Sequence, residues 1–135
     1  MTPLEAILSE AGASGAWEER RGSWWFEPEA LDVRRMAVAM RDRKARFITI
    51  TALAEEGQPD LKLTYHWDLD GQLLSVSTRV KENRTPSIYG ICEAADWIER
   101  EIHEQYTLEF EDRPYEPLLL RAGDAAGVNL RSEDE

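Results

Sequence analysis

Between residues 61 and 69 the chain alternates without a break. Leu61, Leu63, Tyr65, Trp67 and Leu69 fall on one side, Lys62, Thr64, His66 and Asp68 on the other. That period of two predicts a strand with one buried face. The strand, Asp60 to Asp68, is the middle one of three, with Arg46 to Ala54 before it and Gln72 to Val80 after it. Asp70-Gly71 between the second and third is a strong hairpin signal. Elsewhere the period lengthens to three and four. Leu31, Val33, Met36, Ala37 and Met40 give one apolar face to a helix opened by Pro28, and Ala95, Ile98, Ile102 and Tyr106 give one to a helix from Ala94 to Tyr106. Asp96, Arg100 and Glu104, four residues apart, form a charge ladder on the opposite side of that last helix.

Local signals complete the order. Thr2-Pro3-Leu4-Glu5 is a capping box, with Thr2 as N-cap and Pro3 at the first helical position, and Gly12 closes the short helix. Trp17 to Arg20 and Ser23 to Phe26 flank Arg21-Gly22 as a small hairpin. Pro86-Ser87-Ile88-Tyr89-Gly90 is a loop, and Leu118-Leu119-Leu120 adds an edge strand or packs across the sheet. The predicted order is helix, two strands, helix, three strands, helix. It forms one α+β domain over residues 1–121, followed by an acidic tail over 122–135.

Size and composition agree with a folded domain. The chain has 135 residues, 42% of them hydrophobic, with five Trp, and at this length a core forms without disulfides or a structural metal. Its 27 acids against 16 Lys plus Arg give a net charge of -11, and a pI near 4.7 opposes binding to nucleic acid or anionic lipid. No basic and apolar leader opens the sequence, and no apolar run approaches the about 18 residues of a membrane span. Cys92, the one cysteine, cannot form an internal disulfide or hold a cluster alone, which fits a cytosolic setting.

Conventional catalytic chemistry is thinly represented. His66 and His103 lie in no metal-binding spacing and read as surface histidines, and Cys92, beside Ile91 and Glu93, reads as a small buried residue. Gly12, Gly15 and Gly22 follow no strand and precede no lysine, so they make no phosphate loop. The basic stretch Arg34 to Arg46 reads as a solvated helix end. What exceeds background is the segment 93–112, where eight acids stand against Arg100 alone, a net of -7. Most of these acids suit a solvated face. Glu101 lies only about 60° from Ile98, at the edge of the apolar stripe, and there needs a partner within the chain or across an interface.

Pro86-Ser87-Ile88-Tyr89-Gly90-Ile91, then Ala94-Ala95-Asp96-Trp97-Ile98-Glu99-Arg100-Glu101-Ile102, then Tyr106, Phe110 and Pro114 resemble the signature of one hydrophilic-subunit family of respiratory complex I. This is the family of the "30 kDa" subunit of NADH dehydrogenase, with a counterpart in energy-converting membrane-bound hydrogenases. The resemblance implies a two-layer α+β fold, no cofactor and no reaction of its own. It implies a subunit of the hydrophilic arm, packed on the large subunit that bears the quinone cavity or nickel-iron centre, beside an iron-sulfur subunit. Such a chain is cytoplasmic and peripheral to the inner face of the cell membrane. The docking residues are then Trp97, Glu99, Arg100, Glu101 and Glu104, with Trp97, about 100° from the stripe centre, as anchor.

The sequence departs from the family at Thr107, where a glycine is usual, and at Asp112-Arg113-Pro114 in place of Gly-His-Pro. Asn129-Leu130-Arg131 is a remnant of the Pro-Leu-Arg of longer members, and Ile102-His103-Glu104 looks more like the hydrogenase branch. Two other functions compete with a docking subunit. One is a small stand-alone enzyme using Glu99, Glu101 or Glu104 as acid and base; the other is a free regulatory domain that kept the fold.

Overall fold

Thr2 caps the first helix as its spacing predicts: the hydroxyl accepts from the Glu5 N–H, the Glu5 carboxylate answers the Thr2 N–H, and α1 (Pro3–Ala11) runs until Gly12 at φ 67°. The computed structural model describes residues 2–113, so the leucines at 118–120 and the boundary at 121 lie outside the described residues. The chain continues through β1 (Glu18–Arg20), β2 (Ser23–Phe26), α2 (Val33–Asp42), β3 (Arg46–Leu53), β4 (Lys62–Leu69), β5 (Gln72–Arg79) and β6 (Arg84–Pro86). A 3-10 turn (Glu93–Ala95) leads into α3 (Asp96–Tyr106) and β7 (Glu109–Glu111). The α+β class stands, and β6 and β7 are additions to the predicted order.

The main sheet has the order β1-β2-β5-β4-β3 and is mixed, because β2 lies parallel to β5 while the other pairs are antiparallel. Asp70 (φ 52°) and Gly71 (φ 87°) both take positive φ in the β4–β5 turn, and Asp68 accepts the Gly71 N–H at 2.8 Å. Leu63, Tyr65 and Trp67 of β4 face Leu74 and Val76 of β5 and the apolar sides of α1 and α2, with Ile7, Met36 and Met40 fully enclosed. A leucine enclosed as Leu74 is contributes about 1.5 to 3 kcal/mol.

The other face of the sheet is polar. Thr64 and Ser77 share a hydrogen bond of 2.9 Å, and His66 sits between Thr51 (3.1 Å) and Ser75 (2.8 Å) with Trp25 edge-on. His66 is therefore half-buried and bonded, not a free surface histidine; burial lowers its basicity. His103 is likewise half-buried, its Nδ1 2.8 Å from the Leu108 carbonyl oxygen.

Pro28 does not open α2. The helix starts at Val33, where Asp32 accepts the Arg35 N–H at 3.1 Å; Leu31 packs against the core from outside the helix. The basic stretch around α2 is tied down: Arg35 donates to the Glu10 carbonyl at 2.9 Å, Arg43 pairs with Glu10, and Arg46 with Asp68 at 3.1 Å.

β6 and β7 form a separate two-stranded parallel sheet, joined further by an ion pair of Arg84 with Glu111 at 2.6 Å. Pro86 is tolerated there because this short strand is an edge. Between α3 and β7 the chain reverses at Thr107, in the left-handed region at φ 57°; its N–H reaches the His103 carbonyl at 3.0 Å and its own carbonyl accepts from the Asn83 side chain at 2.7 Å. Asp112 is also left-handed, at φ 67°. These are the two described positions where the resemblance leads one to expect glycine, and the backbone supplies the reason.

Candidate docking surface

A helix carrying so many acids must place each in water or against donors, and α3 does both. Ala95 and Ile102 enter the core while Ile98 and Tyr106 are half-buried. Trp97 points the other way, 59% exposed, the most open large apolar side chain among the described residues. Glu99 is 0% exposed. Its carboxylate accepts hydrogen bonds from the Ser87 hydroxyl (2.5 Å), the Ile88 N–H (2.8 Å) and the Arg113 guanidinium (3.2 Å).

These bonds fix a loop and a strand end on the helix. Ser87 Oγ donates to Glu99 and accepts the Tyr89 N–H at 3.0 Å, so the carboxylate holds Ser87 and Ile88 directly and Tyr89 through the Ser87 hydroxyl. Arg113, with only 5% of its side chain accessible, also bonds Asp96 and lies 4.7 Å from the centre of the Tyr89 ring. Burial pushes the Glu99 carboxyl above its ordinary range against the pull of its three donors, whereas Arg113 holds the Asp96 carboxyl below its own. Burial also raises the Cys92 thiol, which is half-buried.

The five residues expected at the docking face divide. Trp97 is exposed. Arg100 is half-buried and pairs with Asp96 at 3.4 Å, and Glu101 is half-buried with no ion pair to another described residue. Glu99 and Glu104 are buried, at 0% and 7% exposure, so the ladder Asp96-Arg100-Glu104 does not stand on a solvated face. Glu99 thus spends its carboxylate on donors within the chain. Among the described residues no group of three or more His, Cys, Asp or Glu is arranged to hold a metal.

Sequence reasoning missed Ser87, Tyr89 and Arg113 as members of this site. The first two lie in the Pro-Ser-Ile-Tyr motif, which by itself reads as a loop, and Arg113 stands out only as a departure from the family. The signal was a basic residue near a strongly acidic segment.

Known proteins carry the same pattern. The family of the respiratory-chain NADH dehydrogenase 30 kDa subunit matches residues 23–134, which include all of α3 and the loop before it. The chain belongs to this family. Among its relatives, a protein named NAD(P)H-quinone oxidoreductase subunit J from Synechococcus sp. (strain CC9605) is 38% identical over 71 residues, 49% of this chain and 38% of the relative. Another of that name from Synechococcus sp. (strain CC9902) is 46% identical over 48 residues, 36% of this chain and 25% of the relative. The matches therefore span well under half the length of these curated relatives. Two solved structures share the fold. A chain of the membrane-bound sulfane sulfur reductase, an archaeal respiratory membrane complex, superposes with a TM-score of 0.71 at 24% identity, covering 82% of this chain and 69% of its own. The trypsin-resistant fragment of Nqo5 gives a TM-score of 0.64 at 24% identity, covering 84% and 98%. No helix among the described residues is long and apolar enough to cross a membrane.

Proposed function

We propose that this 30 kDa family member is a non-catalytic subunit in the hydrophilic arm of a complex I-like membrane oxidoreductase, an NADH:quinone oxidoreductase or an energy-converting nickel-iron hydrogenase. It docks through α3 on the large subunit, beside an iron-sulfur subunit, and is held through them at the inner face of the cell membrane. The observation that carries this reading is the family match over residues 23–134, which includes the helix with the exposed tryptophan.

In this reading the docking residues have separate tasks. Trp97 supplies the anchor, since a largely exposed indole gains most when a partner covers it. Glu101, half-buried beside it, sets charge at the rim, where opposite potentials favour encounter and register, and Arg100 supports that rim from its pair with Asp96. Glu99 acts from inside, holding the helix against Ser87 and Ile88, and Glu104 is buried on the same helix. Affinity purification of the tagged protein from its own membranes, followed by mass spectrometry, tests the reading. Recovery of a large hydrogenase-like or quinone-site subunit with an iron-sulfur subunit is expected; recovery of this chain alone under mild detergent overturns it.

A further inference from the structure

Four large apolar side chains are exposed among the described residues, and two of them, Tyr89 and Trp97, flank the same ion cluster. Tyr89 is 37% exposed and its ring lies on the Arg113 guanidinium; Arg113 bonds Asp96, and Trp97 is the next residue. The Tyr89 loop and the Trp97 helix are thus locked together by Arg113 and by Glu99, whose carboxylate also holds Ser87 and Ile88. The Tyr89 ring rests on Arg113 and the backbone that carries Trp97 is braced by Glu99 and Arg113, so both segments are ordered before a partner arrives, which removes one of the costs of association.

Charge selects the kind of partner. Arg113 is spent inside the cluster at 5% side-chain exposure, and Arg100 is turned to Asp96. The charges left toward solvent around the cluster are acidic in balance: Glu93 is exposed, Glu101 is half-buried, and Asp112 is exposed with a cation, Arg34, 3.6 Å from it. Resting on the docking reading above, we infer that Tyr89 and Trp97 form one two-point anchor, and that its occupant is a protein surface with an apolar recess rimmed by Lys or Arg. In this arrangement Tyr89 and Trp97 touch the partner, while Glu99 and Arg113 are positioning residues that act through Tyr89.

Hydroxyl-radical footprinting of the wild-type protein, alone and in the purified complex, is the direct test because it needs no variant to fold. Oxidation of both Tyr89 and Trp97 is expected to fall at least about fivefold in the complex, with Leu53, exposed on the polar face of the sheet, as reference. Protection of Trp97 with Tyr89 unprotected overturns the two-point anchor and leaves the docking reading standing; protection of neither overturns both. In parallel, Tyr89→Ala should lower recovery of the large subunit about tenfold and Tyr89→Phe should restore it. Glu93→Lys with Glu101→Lys should also lower recovery, and recovery at the wild-type level in that double variant overturns the basic rim.

Discussion

Replacing Thr107 with glycine should raise the melting temperature. Thr107 ends α3 at φ 57° and ψ 28°, in the left-handed region, and it is exposed. A β-branched residue there costs roughly 1 to 2 kcal/mol. Glycine removes that cost but loses more backbone freedom on folding, about 0.5 to 1 kcal/mol. The difference leaves a gain of about 0.5 to 1 kcal/mol, or about 2 to 4 °C for a chain of this size. The two backbone bonds at this position, to the His103 carbonyl and from the Asn83 side chain, do not depend on the threonine side chain and should survive. Thermal unfolding followed by circular dichroism, with Thr107→Ala as a second variant, measures it. Alanine keeps a Cβ and should recover only part of the gain. A melting temperature lowered by Thr107→Gly would refute the reasoning, since the threonine side chain would then be worth more than the backbone strain.

Glu99→Ala strands the Ser87 hydroxyl, the Ile88 N–H and part of the Arg113 charge in a sealed site, and should cost about 3 kcal/mol or more in denaturant unfolding; a loss under about 1 kcal/mol would mean that water replaces the carboxylate. The two carboxyls of the cluster should respond to pH in opposite senses. Asp96 is held below its ordinary value by Arg113, so its contribution is full above the unfolded value of about 3.9 and lost as pH falls through the folded one. Asp96→Asn should therefore flatten the acid side of the stability curve. Glu99 is pushed up by burial, so its contribution is present below the unfolded value of about 4.3 and lost as pH rises through the folded one. The stability lead of wild type over Glu99→Gln should accordingly shrink as pH rises above the unfolded value of about 4.3. A pH-independent lead would contradict that direction. Elemental analysis of the purified chain should show no stoichiometric iron or zinc, given two separated histidines and one cysteine; about one equivalent would refute it.

Much of the fold is written in short-range pattern. The alternation from Leu61 to Leu69 needs only the pleat to become a strand, Asp70-Gly71 needs only positive φ, and Thr2 caps α1 through a residue three positions away. Pro28 misled because proline at a helix start is a general preference, whereas the cap that forms is Asp32 on the Arg35 N–H. β6 and β7 escaped because three residues carry no period, and their pairing joins segments some 25 positions apart.

The candidate site was legible in one respect and not in another. Angular position on a helix placed Trp97 outside the core. The same geometry could not seal Glu99, because its donors Ser87, Ile88 and Arg113 lie 11 to 14 positions away on a loop and past a strand. A carboxylate is solvated by default, and only tertiary donors reverse that.

The central claim is that α3 meets the partner through Trp97 and is held in shape by Glu99. It is tested most directly by Trp97→Ala and Glu99→Gln measured side by side for melting temperature and for co-purification with the large subunit. Trp97→Ala is expected to melt within about 2 °C of wild type, as an exposed substitution should, yet to lose the large subunit. Glu99→Gln is expected to melt lower while its folded fraction still assembles in part. Full assembly of Trp97→Ala at unchanged stability would contradict the claim.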